Sequence, residues 1–117
     1  MTAPGWVRWW YRGAAVYGLL ALLPQYHRAP VPRADVATYG FIGTAAAFQL
    51  VFLVIASDPV RFRALMPVSV VEKLAFALPV AVLFWLGKVP AAVLAIGAID
   101  LGLGVSFALA WVRTPRG

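Results

Sequence analysis

Long apolar segments, separated by short stretches rich in proline, glycine and charge, dominate the hydrophobic pattern of the chain. Four of them can be delimited, at residues 6–23, 38–56, 68–86 and 91–111. At about 1.5 Å per residue, helices of these lengths reach roughly 27–31 Å, which matches the hydrocarbon core of a bilayer. The alternation of apolar and polar residues that is typical of β-strands is absent. The pattern therefore predicts four transmembrane helices.

The connections between these segments contain residues that stop or start helices. Three prolines between positions 24 and 32 interrupt the first connection, because proline has no N–H to donate. In the second connection Asp58 can accept hydrogen bonds from free N–H groups and Pro59 suits the first helical position, which predicts a short interfacial helix from Pro59 to about Met66. Residues 87–90 predict a tight turn. The predicted fold class is all-α: a single four-helix membrane bundle over residues 1–117, with the interfacial helix between the second and third spans.

The first segment differs from the others, because Arg12 interrupts it and the uncharged run that follows, 13–23, has only 11 residues. A basic start followed by a short apolar run also describes a secretory signal peptide. No small-residue cleavage motif follows, however, and the aromatic cluster within residues 6–11 is typical of an anchor at the membrane interface. We therefore expect a retained transmembrane helix.

Composition supports the membrane class. Hydrophobic residues make up 63% of the chain and charged residues 12%, whereas soluble proteins average about 45–50% and about 25%. A soluble fold of 117 residues could not bury that much apolar surface, and a disordered chain would have fewer aromatic and branched apolar residues. The net charge of +6 comes from basic residues that stand singly or in pairs between apolar segments. We therefore expect a lipid bilayer, and not nucleic acid, as the partner.

Few residues can support catalysis or hold a cofactor. The chain has no cysteine, which excludes disulfides, thiolate nucleophiles and cysteine-ligated metal sites. The single histidine, His27, lies in the proline-rich first connection and gives little support to a histidine-based triad or metal site. We therefore expect no catalytic residue, no metal and no cofactor.

The distribution of Lys and Arg predicts the orientation in the membrane. With a cytoplasmic N-terminus, seven basic residues lie on the cytoplasmic side: Arg8, Arg12, Arg61, Arg63, Lys73, Arg113 and Arg116. Three lie on the opposite side: Arg28, Arg33 and Lys88. Because the cytoplasmic side carries the excess of basic residues, we expect both termini to be cytoplasmic. The abundance of Ala, Gly, Pro and Arg hints at a high-GC bacterium, so we expect a multi-pass protein of a bacterial plasma membrane.

Asp100 is the most informative polar residue, because it lies about 14 Å inside the fourth span. A carboxylate at that depth costs a few kcal/mol unless it is paired or protonated. Gln49 and Arg12 lie at similar depth, so either could face it, and Gly97 and Gly104 on its helix face would allow a neighbouring helix to approach. Asp100 is then a proton or ligand site, a contact in a redox complex, or a structural pin, meaning an ion pair or hydrogen bond that holds the bundle together. Arg12 either pairs with Asp100 or extends to the headgroups.

A second polar cluster is predicted at the inner membrane surface. It consists of two acids and three bases around the second connection: Asp58, Arg61, Arg63, Glu72 and Lys73. One interpretation is an interfacial salt-bridge network that contacts anionic lipid. The other is a headgroup or substrate site in which the arginines hold an anion. Glu72 falls about one turn inside the third span, so we expect it to face the bundle.

Three stretches resemble small, uncharacterised bacterial four-helix membrane proteins that are placed among the DoxX-like proteins. They are the runs DPVRFRALM at 58–66, EKLAF at 72–76 and DLGLG at 100–104, and the resemblance covers residues 38–114. Some DoxX-like proteins are subunits of membrane redox complexes, including quinone-linked ones. The resemblance implies such an association for this chain, although the absence of cysteine argues against thiol chemistry.

Three functional hypotheses follow. The first is a non-enzymatic subunit or scaffold of a membrane complex, with other membrane subunits or further copies of the chain as partners. The second is a small proton-coupled or cation transporter that uses Asp100. The small multidrug transporters have a similar length, but their signature acid lies in the first helix, where this chain has none. The third is a membrane enzyme or binding protein for a lipid or quinone, with Glu72 and the nearby arginines at its site.

Overall fold

The computed structural model describes residues 2–28 and 36–116, and every regular element in those ranges is helical. Four long helices account for most of them: α1 (Gly5–Leu22), α3 (Val36–Ser57), α4 (Met66–Trp85) and α5 (Ala91–Arg113). A four-residue helix, α2 (Gln25–Arg28), follows α1, and a 3₁₀ helix (Arg63–Leu65) precedes α4. The all-α prediction is confirmed. The predicted loop prolines at 30 and 32 and the basic residue Arg33 lie outside the described residues.

Within the described residues, three stretches are long and apolar enough to cross a membrane: Val36–Ser57, Arg63–Trp85 and Ala91–Arg113. They correspond to the second, third and fourth predicted spans. The first predicted span does form a helix, α1, but it is not among the three. Two arginines and a group of aromatic residues with polar atoms in its first half lower the hydropathy of α1.

The predicted interfacial helix from Pro59 to Met66 is wrong in its form. The backbone N–H of Arg61 donates to Asp58 Oδ1 at 3.3 Å, so Asp58 does cap this segment. Beyond it, Arg63 N–H bonds to Val60 O at 3.4 Å and Leu65 N–H to Phe62 O at 3.0 Å. Phe62 N–H bonds to Asp58 O at 3.0 Å, four residues back, but the two later bonds span three residues. The segment is therefore a turn followed by a short 3₁₀ helix.

The turn between α4 and α5 forms where it was predicted. Gly87 adopts a φ of 73°, in the left-handed region that side chains disfavour. Its N–H donates to Phe84 O at 2.9 Å, and Lys88 N–H donates to Leu83 O at 2.8 Å, so carbonyls at the end of α4 are satisfied. The glycine thus ends α4 and allows α5 to run back along it.

The helices pack as two pairs, α1 with α3 and α4 with α5. An aromatic core joins the pairs at the end of the bundle where α1 begins and α5 ends. The Tyr11 ring stacks on Phe107 with centroids 4.2 Å apart, and Phe52 lies edge-on to both rings. The Tyr11 hydroxyl and Ser69 Oγ are 2.8 Å apart, in hydrogen-bond contact. Side chains from all four long helices therefore meet in this core.

The exterior of the bundle is apolar to an extent that is unusual for a soluble monomer. Large hydrophobic side chains are exposed on every long helix, including Leu20, Leu50, Val82 and Val105. Trp85, at the end of α4, is 88% exposed. Soluble monomers rarely show contiguous apolar surface on this scale, whereas lipid-facing helices require it. Together with the three apolar helices, this exterior indicates a membrane protein.

Candidate functional site

A buried lysine is the centre of the most unusual polar group in the described part of the chain. The Lys73 side chain is 3% exposed, and its Nζ lies 3.6 Å from Glu72 Oε2 and 3.8 Å from Asp100 Oδ1. We call Glu72, Lys73 and Asp100 the Lys73 cluster. Lys73 is seven residues past the start of α4, or about 10 Å along it. The Lys73 side chain turns into the bundle and pairs with Asp100 of α5, whereas the sequence grouped it with the charged residues of the second connection.

Two glycines of α5 allow α4 to come close to Asp100, as expected from their spacing. A Cβ added at Gly104 would lie 3.3 Å from Lys73 Cβ. A Cβ added at Gly97 would lie 2.8 Å from Val80 Cγ1, which is closer than two carbons can pack. Small residues at such positions let the backbones of membrane helices approach. The tight α4–α5 pairing is what brings the Asp100 carboxylate within reach of Lys73.

Helix α3 completes the surroundings of the lysine. The Lys73 Nζ lies 5.1 Å from the centroid of the Phe52 ring, a cation–π distance. Phe52 is fully buried and belongs to the aromatic core. Lys73 therefore touches α3 through the ring and α5 through Asp100, and it links the two helix pairs electrostatically.

The Lys73 cluster has one more carboxylate than it has cations. With both acids ionised, one positive and two negative charges give a net charge of −1. Glu72 Oε2 is buried and has no hydrogen-bond partner among the described residues. An ionised carboxylate in an apolar bundle is costly unless it is paired or protonated. The arrangement can consequently hold α4 and α5 together through its ion pairs, or it can act as a site that takes up a proton.

Gln49 forms its hydrogen bond within its own helix and not with Asp100. It is 1% exposed, and its Nε2 donates to Ala45 O at 2.9 Å within α3. Its Oε1 has no hydrogen-bond partner in the described residues and lies against Gly18 of α1, where any Cβ would overlap it. Gln49 thus takes part in the close packing of α3 on α1 at Gly18.

Arg12 also lacks its predicted partner. Both ion pairs within the described ranges involve Lys73, so the hypothetical Arg12–Asp100 pair is wrong, and Lys73 fills that role. The Arg12 guanidinium instead lies 4.9 Å from the Trp9 ring, one turn back toward the start of α1. This direction agrees with the alternative that Arg12 extends toward polar headgroups.

The five residues predicted to form one inner-surface cluster fall into separate groups. Asp58 caps the turn at Arg61, whereas Arg63 Nε donates to Thr114 O at 2.8 Å. The Arg63 guanidinium also lies 5.4 Å from the Trp111 ring, so this arginine fastens the end of α5 to the start of α4. Glu72 and Lys73 belong to the Lys73 cluster. Since α4 begins at Met66, both lie more than a turn inside the helix.

The role of Lys73 was missed from the sequence, although a signal was present. The buried residues of α4 recur with helical spacing: Met66, Ser69, Lys73, Ala77 and Val80. Lys73 occupies the middle of that face, between the small residues Ser69 and Ala77. The count of basic residues that predicts the orientation treats Lys73 as a charge at the headgroups and ignores this spacing. When Lys73 is left out of that count, six basic residues lie on the predicted cytoplasmic side and three on the opposite side.

The described residues contain no group of three or more His, Cys, Asp or Glu side chains that could hold a metal ion. The side chains of His27 and Arg28 lie outside the description. Comparisons with protein-family models, with curated proteins and with solved structures find no match for this chain. The resemblance to the DoxX-like proteins therefore stays a hypothesis based on the three sequence stretches.

Proposed function

We propose that this protein is a multi-pass membrane protein that serves as a non-enzymatic subunit or scaffold of a membrane complex, of the DoxX-like kind. The observation that supports this function is an exposed face of small residues on α5. The buried Lys73 cluster has in this view a structural function, because it holds α4 and α5 in register and so presents that face.

The exposed small-residue face lies on the opposite side of α5 from Gly97 and Gly104, the glycines that contact α4. Its residues are Ala91, Ala95, Ala98 and Gly102, all exposed and spaced by four, three and four positions. A Cβ added at Gly102 would meet no atom within 4 Å. Because small residues allow membrane helices to approach closely, this face suits a further helix from another subunit or from a second copy.

The proposed topology has α1 as a fourth span and both termini in the cytoplasm of a bacterium. Helix α1 has 18 residues, about 27 Å, and its Trp6, Trp9 and Trp10 side chains are exposed near the start, as in an interfacial aromatic belt. The remaining excess of basic residues supports this orientation. A phosphatase reporter fused after residue 117 should be inactive, and activity there would contradict the orientation.

The scaffold function predicts that Gly102→Leu removes a partner without unfolding the protein. Leucine would fill the space against which a neighbouring helix packs, but it contacts nothing within the chain. We expect tagged wild-type protein, purified in mild detergent, to retain a partner or a second copy that Gly102→Leu loses. Thermal stability of the chain itself should be unchanged or slightly higher, since leucine favours a helix by about 1 kcal/mol over glycine.

Gly13→Leu is the matched control, because Gly13 is likewise an exposed helical glycine, on α1, and a Cβ added there would meet no atom within 4 Å. It should retain the partner. A wild-type chain that always purifies as a lone monomer would contradict the scaffold function. Equal loss in both variants would show that the α5 face is not the contact.

The excess carboxylate of the Lys73 cluster favours a second candidate, a proton-coupled or cation transporter. This candidate predicts that Asp100→Asn folds normally but abolishes ion flux, because asparagine keeps the shape and cannot exchange a proton. The measurement is the internal pH of vesicles loaded with a pH-sensitive dye after an acid step. Asp58→Asn is the control, since Asp58 is an exposed acid of the turn. Equal flux in wild type and Asp100→Asn would exclude this candidate.

A further inference from the structure

We infer that a groove between the start of α1 and the α3–α4 connection binds the phosphate of an anionic phospholipid headgroup. The groove has a volume of about 500 Å³. It is lined on one side by Gly5, Arg8 and Trp9, and on the other by Asp58 and Arg61. It lies apart from the Lys73 cluster, with which it shares no residue.

The charge of the groove suits a phosphate. Arg8 and Arg61 come from different elements, are both exposed, and form no ion pair with a carboxylate of the described residues. Arginine is the side chain best suited to phosphate, because its guanidinium donates paired hydrogen bonds. The Asp58 carboxylate also lines the groove, but one of its oxygens already accepts the backbone N–H of Arg61. Two guanidinium groups and one carboxylate leave a net charge of +1.

The position of the groove favours a lipid over a soluble anion, and this step rests on the proposed membrane location. The groove lies where α1 begins and α3 ends, at the boundary of the apolar helices. Trp9 extends from it and is 68% exposed, and Trp6 and Trp10 are exposed on the same turn. Tryptophan side chains at such positions lie at headgroup level. A phosphate held by both arginines would have its acyl chains beside the exposed apolar surface of α1.

Vesicles of equal parts phosphatidylcholine and phosphatidylglycerol provide the test. The protein is extracted from them in mild detergent, and the lipids retained by the monomer are counted by native mass spectrometry. Wild type should retain phosphatidylglycerol over phosphatidylcholine. In the Arg8→Gln, Arg61→Gln double variant this preference should fall about tenfold or more, since both guanidinium groups that would hold the phosphate are removed. The double variant Arg113→Gln, Arg116→Gln removes two exposed arginines outside the groove; it is the matched control and should match wild type.

The double variant Arg8→Lys, Arg61→Lys retains the charge and should keep part of the preference. An unchanged preference in the glutamine double variant would overturn the inference. Equal loss in the Arg113→Gln, Arg116→Gln control would also overturn it, because bulk charge would then account for the binding. If wild type binds inorganic phosphate but retains phosphatidylglycerol no better than phosphatidylcholine, the groove is a soluble-phosphate site and the inference is overturned. Failure of the scaffold function would be visible separately, as a wild-type monomer without partners, and does not affect the lipid count.

Discussion

Lys73→Met is expected to lower the free energy of unfolding by about 3–5 kcal/mol, because it leaves two largely buried carboxylates, 13% and 15% exposed, without their cation. Methionine retains the length and apolar stem of lysine, so packing against Phe52 and Gly104 is preserved and the loss reports the charge. The measurement is unfolding of purified protein by denaturant titration in a mild detergent, followed by helical circular dichroism.

The matched control for this prediction is Lys88→Met, at the exposed turn between α4 and α5. A substitution there should change stability by less than about 0.5 kcal/mol, since the side chain has no buried partner. If both variants unfold at the same denaturant concentration as wild type, the ion pairs of the Lys73 cluster do not stabilise the fold.

Phe107→Ala is expected to cost about 3 kcal/mol or more, because it removes the ring on which Tyr11 stacks and against which Phe52 packs. The aromatic core is where the α1–α3 pair meets the α4–α5 pair, so the cavity would form at the junction of all four long helices. In a membrane the lost contribution is mainly van der Waals contact, since helices there have no water to exclude.

Phe84→Ala tests whether this cost is specific to the core. Phe84 lies near the end of α4 and is partly exposed on the apolar exterior, where lipid can fill the space left by the ring. Its replacement should cost much less than that of Phe107 in the same unfolding assay. Similar losses at both positions would indicate that the aromatic core is no more important than the lipid-facing surface.

The long helices could be predicted from the sequence because apolar length and helix-breaking residues are local signals. The three later spans and the Gly87 turn follow directly from such signals. The membrane status of α1 could not be decided in the same way, because its arginines and aromatic residues reduce the apolar signal that length alone suggested. The short 3₁₀ segment before α4 is defined by N–H groups that donate to the carbonyl three residues back. Residue types alone do not specify whether an N–H donates to the third or the fourth preceding carbonyl.

The candidate site was predictable only in part. Asp100 was identified as a buried acid from its depth, and Gly97 and Gly104 as the positions of close approach. Its partner, Lys73, was not identified. Arg12 and Gln49 lie at similar depth and were considered as partners, whereas Lys73 was assigned to the membrane surface. Depth along a helix says nothing of rotation about its axis. The helical spacing of Ser69, Lys73 and Ala77 favours an inward-facing lysine, and the packing of α4 on α5 then brings it to Asp100.

The claim that the ion pairs of the Lys73 cluster stabilise the fold is tested most directly by removing all of its charges together. We predict that the triple variant Glu72→Gln, Lys73→Met, Asp100→Asn recovers most of the stability that Lys73→Met loses, because no buried charge is then left unpaired. The measurement is the free energy of unfolding of wild type, Lys73→Met and the triple variant in the same detergent. A triple variant as unstable as Lys73→Met, or less stable, would contradict this account of the cluster.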